Sequence, residues 1–106
     1  MTQESQELAR AFFAATCVLA CHTGSLQQRL ADAYADHLLQ VVASDLPAGL
    51  QAAFREVEQR LTAADADDGD DPFRAAAEQL NDDQVRTLIE GIVMLYGRLA
   101  VHGRTP

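Results

Sequence analysis

The sequence predicts an all-α protein, a compact bundle of four to five helices in one domain that spans residues 1–106. Ala and Leu dominate the composition, 48% of the residues are hydrophobic, and the chain has only three Pro and six Gly. This mixture favours helices, and β-branched residues are too sparse to build a sheet. Apolar residues also recur at every third or fourth position, which is the spacing of one face of an α-helix.

A first helix is predicted from about Ser5 to His22, and it is apolar on more than one side. One stripe consists of Leu8, Phe12, Ala15 and Leu19, and a second consists of Phe13, Cys17 and Ala20. Such a helix either crosses the middle of the bundle or gives its second stripe to another subunit. Gly24 follows, and we expect it to end the helix in a left-handed conformation.

A second helix is predicted to begin at a capping box formed by Ser25 and Gln28 and to run to about Ala43. Its broad apolar face consists of Leu26, Leu30, Ala33, Tyr34, His37, Leu38, Val41 and Val42. Leu39 is the exception, because it falls among the polar residues of the opposite face. It is therefore a candidate contact for a partner protein.

A third helix is predicted to begin at residues 44–47, where a side-chain oxygen can cap free amides and Pro47 fits the first turn. We expect it to reach about Ala64 and to bury a stripe made of Leu46, Leu50, Ala53, Phe54, Val57 and Leu61. An acidic loop at residues 65–71 comes next, since five aspartates around a glycine repel one another. Its acids do not match the register of a calcium-binding EF-hand loop.

A short fourth helix is predicted after Pro72, with Phe73, Ala76, Ala77 and Leu80 available for burial. A second capping box, formed by Asn81 and Gln84, predicts the start of the last helix. That helix carries the widest apolar arc: Val85, Leu88, Ile89, Ile92, Val93, Leu95, Tyr96, Leu99 and Ala100. We expect Gly91 and Gly97 to permit close contact with neighbouring helices, and residues 104–106 to be a frayed tail after Gly103.

The charge of the chain limits its partners. Eight Lys and Arg against sixteen Asp and Glu give a net charge of -8, which repels phosphate backbones and anionic lipids. The longest apolar stretch, residues 11–21, is about half the length that a membrane span requires. Residues 18–21 resemble a lipoprotein cleavage box, but the preceding residues are acidic rather than basic, which argues against export. We therefore expect a cytoplasmic protein that neither binds nucleic acid directly nor associates with a membrane.

Cys17 and Cys21 are one helical turn apart, beyond ordinary disulfide reach, so we expect free thiols in a reducing compartment. Because they lie in an Ala- and Phe-rich stretch, burial is the expected environment for both. Together with His22, and with His37 or His102 as a further ligand, they are weak candidates for a metal site, although the spacing is not that of a zinc finger. His37 lies on an apolar face and is expected to be a core residue, while His22 and His102 suit helix ends.

The sequence contains no motif for nucleophilic catalysis, phosphate binding or zinc hydrolysis, so we expect neither an enzyme nor a cofactor. The leading interpretation is a helical protein interaction module, self-associating as a homodimer, such as a small regulator, chaperone or adaptor. Surplus apolar surface supports this interpretation, and the interface candidates are Phe13, Cys17, Ala20, Leu39, Met94 and Val101. Two alternatives stay open: an acidic inhibitor that mimics nucleic acid, and a metal or thiol sensor built on Cys17, Cys21 and His22.

Overall fold

Helices make up the chain in the order that the spacing of its apolar residues predicts. The computed structural model describes residues 3–62 and 72–104, with the side chains of residues 6–62 and 72–101. The five α-helices are α1 (Gln3–Cys21), α2 (Leu26–Ala33), α3 (Ala48–Leu61), α4 (Pro72–Glu78) and α5 (Asp82–Arg104). No strand occurs within these ranges, so the predicted all-α bundle is confirmed. The acidic loop predicted at 65–71 lies outside the described residues, and α5 continues through Gly103 and Arg104, where we had expected it to end.

The helices pack around one apolar core. α1 packs against α5 and α2, while α3 packs against α5 and α4. The radius of gyration is 13.6 Å, close to the roughly 13 Å expected for a compact domain of this length. Among the described residues no buried side chain is polar or charged. The largest fully buried side chains are those that the periodicity predicts: Phe12, Phe54, Leu30, Leu38, Leu61, Ile92, Leu95, Val57 and Val85.

Both predicted capping boxes are present. The Gln28 N–H donates to Ser25 Oγ at 3.1 Å, and the Ser25 N–H donates to Gln28 Oε1 at 3.2 Å. At the start of α5, the Gln84 N–H donates to Asn81 Oδ1 at 2.8 Å and the Asn81 N–H donates to Gln84 Oε1 at 3.0 Å. Each box satisfies amides at a helix start that have no partner within the helix.

The second helix ends earlier than predicted. After α2 the chain forms a π-helical turn at Tyr34–Leu38, then leaves the helix and makes a 3-10 turn at Ala43–Asp45. A π-turn holds more residues than an α-turn and so changes which residues face the core. As a result Val42, which we placed on the buried face, is exposed, and Pro47 precedes the first residue of α3 instead of occupying its first turn.

Two glycines of α5 do not have the role that we predicted for them. A Cβ atom added at Gly91 or at Gly97 would meet nothing within 4 Å. Within the described residues, neither glycine therefore permits close contact with another helix, and that prediction is wrong.

Gly24 is required for space and not for a left-handed backbone, since its φ lies outside the left-handed range. A Cβ there would come within 2.7 Å of His22 Cε1 and would also collide with Gln28 Oε1. Both side chains are held by hydrogen bonds, so they cannot move aside without loss. We expect Gly24→Ala to lower the free energy of unfolding by about 1–3 kcal/mol in urea titrations. Gly49→Ala is the matched control, because a Cβ at Gly49 meets nothing within 4 Å; equal stability of the two variants would contradict this account.

Tyr34 joins α2 to α4 at the π-turn. Its ring is buried and packs edge to face against Phe73, with ring centroids 5.1 Å apart. Burial, and secondarily the negative charge of Glu58 on α3, raises the pKa of the Tyr34 hydroxyl above its ordinary value of 10.0. The folded state therefore holds the phenolic proton more tightly than the unfolded state does.

This raised pKa predicts a loss of stability in alkali. The protonated Tyr34 hydroxyl makes its full contribution to the free energy of unfolding below pH 10, where Tyr34 is protonated in both the folded and the unfolded state. This contribution is lost as the pH rises from 10 through the folded pKa, by up to about 1.4 kcal/mol per pH unit. We expect Tyr34→Phe to flatten this decline in urea titrations between about pH 9 and 11.5. If the free energy of unfolding fell equally steeply above about pH 9 in both proteins, the decline would not be due to Tyr34.

Candidate interaction surface

The outer side of α1 is an exposed apolar strip. Leu8, Phe12, Ala15 and Leu19 are buried, as the first predicted stripe requires. At 100° per residue, Cys17 lies about 170° from the centre of that stripe, and it is exposed together with Phe13, Ala20 and Cys21. The helix is therefore not central in the bundle, and its second stripe faces outward.

This outer strip carries no charge. No acidic or basic residue occurs between Arg10 and His22, a stretch of α1 in a chain whose net charge is -8. Exposed helix faces are normally covered by charged residues, as α3 shows with Arg55, Glu56 and Arg60. The strip resembles the apolar centre of a protein interface, where charged residues are depleted.

α5 extends the strip sideways. The Phe13 ring packs against the half-buried Tyr96 ring with centroids 5.6 Å apart, which places the middle of α5 beside the middle of α1. Val93, three residues before Tyr96, is exposed although we predicted it in the core wall. The sequence periodicity did not indicate that Val93 is exposed, because Val93 lies at the edge of the apolar arc of α5. We define the α1–α5 face by these residues: Phe13, Cys17, Ala20, Cys21, Val93 and Tyr96.

The other interface candidates are exposed but lie elsewhere. On α5, Met94 and Val101 share one stripe that is turned about 80–100° from Val93. Leu39 follows the π-turn and is exposed together with Val42, which the sequence did not single out. The structure therefore gathers Phe13, Cys17 and Ala20 on one side of α1, whereas Leu39 belongs to the segment after the π-turn.

A cleft of about 380 Å³ lies between α1 and the segment that follows the π-turn. Its lining is mixed: Glu7, Leu8, Ala11, His37, Gln40, Val41, Val42 and Asp45. His37 is thus half-buried at a cleft wall and is not the enclosed core residue that we expected. The cleft is open and shallow, and it holds no buried polar side chain that lacks a partner.

Both cysteines are free and exposed. The expectation of free thiols is confirmed, whereas the expectation of burial is wrong. The residue type and its apolar neighbours suggested a core position, but the helical phase of Cys17 and Cys21 places them opposite the buried stripe.

His22 belongs to a hydrogen-bonded cluster that holds the turn between α1 and α2. Its Nδ1 accepts from the Gly24 N–H at 2.8 Å, so its Nε2 carries the proton and donates to Asp32 Oδ2 at 2.6 Å. An Arg74 guanidinium nitrogen lies 3.8 Å from the other oxygen of Asp32. His22 does follow the last residue of α1, as predicted, and its ring is bonded to Asp32 and to Gly24.

This cluster bears on the metal hypothesis. Both ring nitrogens of His22 are engaged, so the imidazole has no free position for a metal that Cys17 and Cys21 would share. Within the described part of the chain, no group of three or more His, Cys, Asp or Glu side chains is arranged to hold a metal ion. His102 lies beyond the side chains that the structure describes.

Comparison with known proteins adds no relative: no family model, no curated protein and no solved structure matches this chain. Over residues 3–62 and 72–104, no helix is both long enough and apolar enough to cross a bilayer.

Proposed function

We propose that this chain is a non-enzymatic interaction module, a small regulator, chaperone or adaptor of the cytoplasm that forms a symmetric homodimer through the α1–α5 face. It works without a cofactor and does not bind nucleic acid directly. The observation that carries this proposal is the charge-free outer side of α1, on which Phe13 is 53% exposed in a strongly acidic chain.

The charge of the molecule favours this face for a second copy. Two molecules with a net charge of -8 repel each other over most of their surfaces. The repulsion is least where acidic groups are absent, which is the strip between Arg10 and His22. Burying that strip also removes from water the apolar side chains that face it.

The size of the face limits how tightly two copies can bind. The charge-free stretch of α1, residues 11–21, is about 16 Å long, and two adjacent helices are about 20 Å wide. A dimer through this face would bury at most about 650 Å², less than the roughly 1,000 Å² of a stable specific interface. We therefore expect a weak dimer that dissociates on dilution.

Sedimentation velocity of the reduced protein tests the proposal. From about 1 to 500 µM, the sedimentation coefficient should rise from that of a monomer to that of a dimer. Raising the salt from about 20 mM to 0.5 M shortens the screening length from about 20 to 4 Å and should tighten the dimer several-fold, because it screens repulsion between like charges. A monomer at every concentration, or a dimer that salt dissociates, would contradict the proposal.

The acidic-inhibitor hypothesis predicts the opposite response to salt. Binding of a basic partner to carboxylates weakens as salt rises, while burial of an apolar strip does not. Of the acids in the described residues, Asp32 is paired with His22, Asp82 accepts from Gln27, and Asp83 pairs with Arg86. These local pairings favour structural roles for the three carboxylates.

A further inference from the structure

We propose that Cys17 is a redox-sensitive lock of the dimer: oxidation joins two copies through a disulfide between Cys17 and the partner's Cys17. This inference rests on the proposed function, because it needs the second copy at the α1–α5 face. It accounts for two exposed thiols that the core does not use.

The two thiols of one chain cannot close a disulfide with each other. Residues four apart on an α-helix have Cβ atoms about 5–6 Å apart, whereas a disulfide needs about 3.5–4.5 Å. Both cysteines lie in the regular part of α1, which ends at Cys21. An oxidised thiol must therefore find its partner on another molecule.

A two-fold axis that passes through the middle of the exposed strip of α1 places Cys17 against its own copy. It is the outermost point of α1, and it lies four residues after Phe13 and four before Cys21, the two ends of the exposed strip. When two such strips pair antiparallel about Cys17, Phe13 of each copy meets the partner's Cys21, so a bulky side chain lies over a small one. A residue on the axis meets its own equivalent.

The spacing of packed helices suits this bond. Helix axes approach to about 8–10 Å, and each Cα lies about 2.3 Å from its axis. Cα atoms that point at each other across the axis are then about 3.5–5.5 Å apart, which overlaps the 4.4–6.8 Å of disulfides. Ala14 and Ala20 beside Cys17 are small enough to allow the approach.

Oxidised glutathione is a sufficient oxidant. The Cys17 thiolate attacks one sulfur of oxidised glutathione, which forms a mixed disulfide and releases one glutathione thiolate. The thiolate of the partner's Cys17 then attacks the protein sulfur of the mixed disulfide and releases the second glutathione. Two protein thiols lose two electrons, glutathione disulfide gains them, and the two thiol protons end on the two glutathione molecules.

The chain has only two cysteines, so each serine variant leaves one thiol. Cys17→Ser, Cys21→Ser and the wild type are incubated with oxidised glutathione at about 50 µM protein and followed by non-reducing gels and intact mass. We expect Cys21→Ser to form the covalent dimer within two-fold of the wild-type rate, and Cys17→Ser to be at least ten-fold slower. Adding Phe13→Asp to Cys21→Ser should also slow the reaction at least ten-fold.

Sedimentation of the same proteins under reducing conditions separates the two proposals. A reduced dimer whose cross-link forms equally fast through Cys21, or forms through neither thiol, would overturn the role of Cys17 and leave the dimer intact. Reduced protein that is monomeric at every concentration would overturn both. Circular dichroism of each variant verifies that the helices are retained.

Discussion

Phe13→Asp is expected to abolish self-association while leaving the fold in place. In a symmetric dimer the change acts twice, and each copy loses an apolar contact and would have to bury a carboxylate against the strip. A loss of about 4 kcal/mol over the two copies weakens the dimer about 1,000-fold, so the variant should be monomeric throughout the accessible range. Within the monomer the ring contact with Tyr96 is lost, which costs about 0.5–1.5 kcal/mol.

Val42→Asp is the matched control for this experiment. Val42 is 54% exposed, nearly the same as Phe13, and the substitution adds the same charge at the patch that follows the π-turn. Sedimentation equilibrium should show that Val42→Asp dimerises like the wild type. If Val42→Asp or Leu39→Asp is the variant that becomes monomeric, the interface is the surface of Leu39 and Val42 and not the α1–α5 face.

Phe12→Ala is expected to be the most destabilising single truncation on α1. Phe12 is fully buried, and its ring packs edge to face on Phe54 of α3 with centroids 5.7 Å apart. Truncation leaves a cavity between two helices, so the free energy of unfolding should fall by about 3–5 kcal/mol. For a domain of ordinary stability this is a third or more of the total.

The neighbouring residue provides the control for Phe12. Phe13→Ala removes the same atoms one position along the helix, where the ring is 53% exposed and packs against Tyr96. Urea titrations should give it a loss of about 1.5 kcal/mol or less. Comparable losses from the two truncations would contradict the assignment of Phe12 to the core and Phe13 to the surface.

The starts of α2 and α5 were predictable because their causes are local, whereas the side-chain cap predicted for α3 at residues 44–47 is absent. The Ser25–Gln28 and Asn81–Gln84 boxes depend on residues three apart, and the buried stripe of α3 depends on a single period. These features need no knowledge of where the other helices pack. The sequence therefore predicts the fold class and most of the core.

The end of the second helix was not predictable in the same way. The apolar spacing continues smoothly from Tyr34 to Val42, and nothing in it marks the π-turn at Tyr34–Leu38. The role of Gly24 was equally hidden, because it depends on the His22 ring, which is held by Asp32 ten residues later in the chain. Both features are set by packing between segments, which a local pattern does not contain.

For the candidate surface, helical phase was a better guide than residue type. The second stripe of α1 was recognised from its angle, and Phe13 and Ala20 are exposed in the structure. The statistics of buried cysteine gave the wrong environment for Cys17, because its apolar neighbours cover the opposite side of the helix. Val93 was missed because an arc of about 160° on α5 is wider than the side that the core covers.

Amide spectra recorded by NMR over a dilution series test the central claim most directly, since they report where a second copy binds at each residue. Between about 500 and 10 µM, signals of residues 11–21 and 89–101 should shift together along one binding curve, while those of α3 stay fixed. Shifts centred on Leu39 and Val42, or spectra that do not change with concentration, would contradict a dimer formed by the charge-free side of α1 and its neighbour α5.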